Sequence, residues 1–408
     1  MTNHPYPRHD RLLREIREWS NDTLDRARTP LRKPTVLLVT GQAPPEKVLE
    51  IQNRLRFLFD HLGKDFHLRV AHRTSPLAYL RNAAVVAVDR GAIPASVSRH
   101  LRWAADLDYE TNPTDGWALI DLGAAIRGPQ PALAAVARQT LVDRVNQIRA
   151  TGARPVYLFG TGPSLQSAIN RCFSDGTTIV CNTIVRDERL WNHLSPAFLV
   201  AGDAIYHFGQ NPHSCAFRAD ALRRLRESDG RTLFVYPAQF DVIVRPEFTD
   251  VESLLVPVPF GPHSDPTVDL TRHFEIPKLE NVLANLLLPL GCTISHDVRL
   301  WGFDGRAPTD SGFWANSDRH SYPELMQSIR DAHPAFFADK IPKGNEIQYV
   351  NIAHGDFLDH RLADAELRGF TFRMLHRSWT PTLQKRFHEE SQDPEGARRH
   401  PAHHDLPE

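Results

Sequence analysis

The sequence predicts an α/β protein built from two Rossmann-like, doubly wound parallel-sheet domains, and three observations carry that expectation. Strand-like apolar runs alternate with helix-compatible segments along most of the 408 residues, the pattern of helices packed on parallel strands. Several of those runs are apolar without interruption, as strands covered on both faces must be. The run Val156-Tyr-Leu-Phe159 then enters the turn Gly160-Thr-Gly-Pro-Ser164. Glycines there allow close approach of a ligand, and the next helix N-terminus offers free N–H groups to a phosphate.

Residues 1–33 are charged and helix-compatible and read as an arm. A first domain is expected over 34–150. Strand Thr35–Val39 meets a turn at Gly41, and a helix follows with Val48, Ile51, Leu55, Leu58 and Leu62 at helical spacing. Phe66–Val70 and Ala83–Val88 read as further strands, Ala95–Trp103 as a helix and Trp117–Leu122 as a fourth strand. A helix from Leu133 to Ala150 bridges to the second domain, expected over 151–390. Its strands are Val156–Phe159, Thr178–Cys181, Ala197–Asp203, Arg231–Tyr236, Ser253–Pro257, Asp297–Asp304 and Phe370–Leu375. The greasy stretch Val282–Leu290 reads as a buried helix, interrupted by Asn285 and Pro289. Residues 391–408 read as a disordered tail, although Arg398–His404 is rich in histidine.

Composition excludes several classes. A formal net charge of −1 gives no basic face for nucleic acid. No run reaches the roughly 20 apolar residues of a spanning helix. The four cysteines show no metal-binding spacing. The expectation is a soluble protein of the reducing cytoplasm, without a transmembrane segment.

Candidate chemistry gathers where strands end. Gly160, Thr161, Gly162 and Ser164 suit a phosphate or ribose. Asn182 follows the next strand, and its amide both donates and accepts; capping the helix that contains Glu188 and Leu190 is its alternative role. Asp203 suits a ribose hydroxyl or a divalent cation, or else a turn cap, and Asp304 ends the late strand Val298-Arg-Leu-Trp-Gly-Phe-Asp304. A long segment, Arg306 to Tyr322, brings aromatics (Trp314 and Tyr322 among them) together with His320, a candidate base. Asp106-Leu-Asp108 has the D-x-D form but follows no obvious strand and reads as a solvated charge pair.

Taken in order, Gly160-Thr-Gly-Pro-Ser-Leu165, Cys181-Asn182, Gly202-Asp203 and Val298–Asp304 resemble a known group over roughly Pro155 to Phe387. That group comprises the bacterial sialyltransferases of the Rossmann-like type and the related 6-hydroxymethylpterin pyrophosphokinase-like proteins. The chain departs from the sialyltransferases at Pro277-Lys-Leu-Glu280, where they carry T-S-G. Ala83–Pro94 looks like the matching strand and turn in two-Rossmann glycosyltransferases. The resemblance implies that the Gly160 turn and Asn182 contact a nucleotide phosphate, and that His320 is the general base. It points to a glycosyltransferase using a nucleotide-sugar donor and a glycan acceptor. The aromatics of the Arg306–Tyr322 loop, Trp314 and Tyr322, would stack on substrate, and without a convincing D-x-D no metal cofactor is expected. Two alternatives stand beside it. One is ATP-dependent pterin pyrophosphoryl transfer, with Mg²⁺ held by Asp203 and Asp304; the other is a non-catalytic nucleotide- or glycan-binding protein.

Overall fold

In a computed structural model of the chain, residues 35–63, 67–71, 84–87, 104–262, 265–279, 281–305, 307, 321–339 and 355–388 are described. The arm, the tail, the expected helix 95–103, Trp314 and His320 lie outside the described residues.

The architecture is α/β with two main sheets, both wholly parallel. The first has four strands, β1 (Thr35–Val39), β2 (His67–Ala71), β3 (Ala84–Ala87) and β4 (Ala104–Asp106), in the order β2-β1-β3-β4. Helix α1 (Pro45–His61) follows β1 and buries Ile51, Leu55 and Leu58 of the expected stripe together with Phe59, while Val48 and Leu62 at its ends are half-buried.

Helix α2 (Asp115–Arg127) corrects the expected fourth strand at Trp117–Leu122; the fourth strand is β4. A short apolar run fits a buried strand and a buried helix equally well. Here packing decides: Leu119, Ile120 and Gly123 are buried, and a Cβ on Gly123 would lie 2.5 Å from Leu58 Cδ1. Asp106 is therefore the last residue of a strand, and Asp108 is 3% exposed and ion-paired with Lys47. The D-x-D carboxylates are not a solvated pair.

After α3 (Pro131–Arg149) comes the seven-stranded sheet: β5 (Val156–Phe159), β6 (Thr177–Cys181), β7 (Phe198–Val200), β8 (Leu233–Pro237), β9 (Leu255–Val258), then, beyond a two-stranded pairing of β10 (Phe260–Gly261) with β11 (Ile276–Pro277), β12 (Asp297–Trp301) and β13 (Thr371–Met374). Its order is β13-β12-β5-β6-β7-β8-β9. The chain runs outward from β5 to β9 and then returns to lay β12 against the other side of β5. That reversal makes the β5/β12 junction a topological switch point, where open α/β sheets place their ligands.

All four residues of β5 are buried, on alternate faces of the sheet. Tyr157 and Phe159 join one apolar cluster, Val156 and Leu158 another on the opposite face, which α3 covers with Leu141 and Val145. The first cluster also takes in Val36 and Leu38 of β1, Leu55 and Leu58 of α1, and Ile120 of α2. One core thus extends from the small sheet onto one face of the large one. Among the described residues no helix is long and apolar enough to cross a membrane.

Candidate functional site

A cavity of about 750 Å³ opens at the carboxyl ends of β5, β6, β7 and β12. Gly160 to Gly162, Asn182, Asp203 and Asp304 all line it, so six of the residues singled out from sequence meet on one wall. Thr114, Trp117 and Asp121, from the first half of the chain, line it as well. Partial burial raises the Asp121 carboxyl above the usual carboxylate range, while the Lys278 cation, also on the lining, pulls it back down.

The glycines serve a close approach, but the backbone that approaches is the protein's own. Gly160 N–H donates to Trp301 O and Gly162 N–H to Gly302 O, both at 2.8 Å. A Cβ on Gly160 would sit 2.5 Å from Gly302 O, and one on Gly162 would collide with the Asp304 carboxylate. The two strand exits are spliced together at the switch point. The amides expected to cradle a phosphate are consumed in that splice, and the following helix is a 3-10 segment, Pro163–Asn170.

Ser164 and Asp304 belong to the same splice. Ser164 N–H donates to Asp304 Oδ1 at 3.0 Å, and Ser164 Oγ lies 2.8 Å from Oδ2. His376 Nε2 accepts from Gly302 N–H at 2.8 Å and lies 2.7 Å from Ser164 Oγ, while Nδ1 faces the Arg377 carbonyl at 2.8 Å. A carbonyl only accepts, so the ring proton is on Nδ1. Burial lowers the His376 pKa, and the neighbouring Asp304 opposes that shift.

Asn182 stands apart. It holds φ 52°, the left-handed region that few non-glycine residues enter. It does not cap the next helix, α4 (Glu188–Leu194), because Asp187 accepts from Leu190 N–H there. Its Oδ1 is buried without a hydrogen-bond partner. Only one other described side-chain atom is orphaned in this way, Asn285 Oδ1, and Asn285 lines the same cavity. Asn285 lies in a π-helical turn, Leu283–Leu287, that leads into a short α-helix. Such turns are rare and concentrate at functional sites. Its Nδ2 donates to Leu279 O at 3.2 Å, which fixes the amide orientation and aims Oδ1 away from that bond. An unmade bond of this kind costs about 1–3 kcal/mol. Both residues line one cavity, and both oxygens are buried.

Asp203 takes the turn-cap role: Oδ1 accepts from Ile205 and Tyr206 N–H, both at 2.7 Å. Burial raises its pKa, and the two amides and His333 pull the other way. Tyr322 departs from the expected substrate contact. It is 4% exposed, its hydroxyl donates to Asp220 Oδ2 at 2.6 Å, and Arg186 covers its ring. Burial and Asp220 together push the phenol pKa up.

Sequence reasoning missed Asn285, His207 and His213 on the cavity wall. A signal was present for each. Asn285 is the lone amide in an apolar helix, and both histidines lie in the Gly/Asn/Pro-rich stretch right after β7. Among the described residues no group of three or more His, Cys, Asp or Glu side chains is placed to hold a metal ion. No protein-family model matches the chain, and no curated protein matches it.

Proposed function

We propose that the cavity binds the nucleotide of a nucleotide-sugar and that the protein is a glycosyltransferase acting on a glycan acceptor. The observation that carries this reading is the pair of orphaned acceptors, Asn182 Oδ1 and Asn285 Oδ1, on one switch-point cavity. They call for a ligand rich in O–H and N–H donors, which ribose, sugar hydroxyls and base amino groups supply. The volume of about 750 Å³ falls in the range of small-molecule sites. The two sheets are read as two Rossmann-like units sharing this cleft, since α2 of the first supplies Trp117 and Asp121. All four cysteines are unpaired, which suits the reducing cytoplasm.

Pyrophosphoryl transfer to a pterin asks Asp203 and Asp304 to hold Mg²⁺. Asp304 is instead committed to Ser164 through both oxygens, and Asp203 Oδ1 to two amides. That commitment favours the sugar-donor reading.

The test is nucleotide release from CMP-, UDP-, GDP- and dTDP-sugars by the full chain, with and without chelator. The expected result is release from one donor class, indifferent to chelation and accelerated by a glycan acceptor. Pterin-dependent consumption of ATP that stops on chelation would replace the reading, and binding without any turnover would make the protein a binding module.

A further inference from the structure

His207 and His213 share one wall of the cavity and carry their ring protons on opposite nitrogens. His207 Nδ1 accepts from the Asp203 amide at 3.2 Å, so its proton lies on Nε2. His213 Nδ1 faces the Tyr206 carbonyl at 3.0 Å, so there the proton lies on Nδ1 and Nε2 keeps its lone pair. Nothing among the described residues is hydrogen-bonded to that Nε2. We propose that His213 is the general base of the transfer reaction, taking the acceptor's hydroxyl proton on Nε2. The assignment rests on the sugar-donor reading above.

The surroundings hold this nitrogen in place. The Tyr206 peptide is fixed by Asp203, which accepts its N–H at 2.7 Å. The preceding Ile205 carbonyl accepts from Asn211 Nδ2 and Ser214 Oγ, both at 2.8 Å. The rings of Tyr206 and Tyr322 meet the imidazole edge-on at 5.6 and 5.0 Å. His213 also sits in the first turn of helix α5 (Pro212–Glu227), where the positive end of the helix dipole disfavours imidazolium. Burial lowers its pKa further; of the charged groups around it, Glu324 opposes that shift and Arg186 adds to it, with Asp220 behind Tyr322 and His207 on the same wall. A neutral imidazole near neutral pH is what a base requires.

The acceptor oxygen bonds to the anomeric carbon while its O–H bond breaks and the proton moves to Nε2. The bond from the anomeric carbon to the nucleotide phosphate oxygen breaks, and the phosphate keeps the electron pair. The proton then leaves to solvent.

His213→Gln in the full chain tests the assignment, with the best donor from the release assay. Transfer is expected to fall by about 10²–10⁴-fold in kcat, with the nucleotide Kd changed less than about threefold. In the wild type kcat/KM should rise with pH through a pKa below the ordinary imidazole value of about 6.5 and then level off; the variant should lose that acid limb. Imidazole added to His213→Ala should restore part of the rate. A kcat within about threefold of wild type, or an acid limb that survives, would overturn the assignment, as would loss of the limb in His320→Ala instead. Should the variants fail to fold, ¹⁵N spectra of the wild-type histidines decide: a His213 signal protonated on Nε2 overturns the proposal, and one protonated on Nδ1 supports it. Failure of the sugar-donor reading looks different, because wild type then releases nucleotide from no donor, and the base assignment falls with it.

Discussion

Gly302→Ala should cost about 4 kcal/mol of folding stability, adding backbone strain of about 1–3 kcal/mol to a comparable overpacking term. Gly302 holds φ +80°, and a Cβ there would lie 2.2 Å from Gly160 O and 2.8 Å from Gly160 C. Both are backbone atoms, so no side chain can swing aside. Any relief must part the exits of β5 and β12, breaking the Gly160 N–H to Trp301 O and Gly162 N–H to Gly302 O bonds. Gly63→Ala is the control. Gly63 holds φ +59° with nothing within 4 Å of a new Cβ, so it should lose only the conformational term of about 1–2 kcal/mol. Chemical denaturation of both variants separates the two contributions. A Gly302→Ala protein no less stable than Gly63→Ala would mean that the splice is not tight.

Asp115→Ala should be nearly as damaging, at about 3–5 kcal/mol, because it strands buried charge. Asp115 is 0% exposed at the first turn of α2. It pairs with Arg54 of α1, 5% exposed, and with His333, whose Nδ1 lies 2.9 Å from both carboxylate oxygens. His333 follows helix α6 (Met326–Ala332), so this one carboxylate ties the first sheet's helices to the segment that supplies Met326 to the cavity. Without it the Arg54 guanidinium keeps the Ala332 carbonyl, the Tyr109 ring face and a half-exposed Glu50, but no buried carboxylate among the described residues. The loss should appear both in the denaturation midpoint and as weaker nucleotide binding. A change below about 0.5 kcal/mol, ordinary for a surface site, would show that the network contributes nothing net.

How far the sequence reaches depends on whether a property is local. Strand β5 was legible because a strand buried on both faces is apolar at every position, and that needs no knowledge of its neighbours. Strand β6 departs from this at Thr177 and Thr178 only, and β12 alternates buried Val298 and Leu300 with half-buried Asp297, Arg299 and Trp301. Convergence of Gly160, Asn182, Asp203 and Asp304 followed from parallel order alone, since equivalent strand ends share an edge. The glycine turn was legible as a close approach, yet its partner was not: β12 lies some 140 residues downstream of β5, and no local pattern says that its backbone fills the space left for a phosphate. Trp117–Leu122 failed for the complementary reason, as six apolar-rich residues carry too little periodicity to separate strand from helix. Asn285 was visible only as an interruption. Its meaning arises when a π-turn and the sheet edge enclose its oxygen. His213 likewise gained its chemistry from the Tyr206 carbonyl, a tertiary contact that assigns the proton.

Thermal unfolding with CMP, UDP, GDP, dTDP and ATP, each with and without Mg²⁺, tests the central claim that this cavity is a nucleotide site. A nucleotide at 100 times its Kd should add about 2.7 kcal/mol to wild-type stability. One nucleotide of a sugar donor is expected to raise the melting temperature without needing Mg²⁺. Asn285→Leu, which removes the orphaned acceptor together with the Nδ2 bond to Leu279 O, is expected to abolish that shift while the unliganded protein still unfolds cooperatively. No shift with any nucleotide, or an undiminished shift in Asn285→Leu, would contradict that claim.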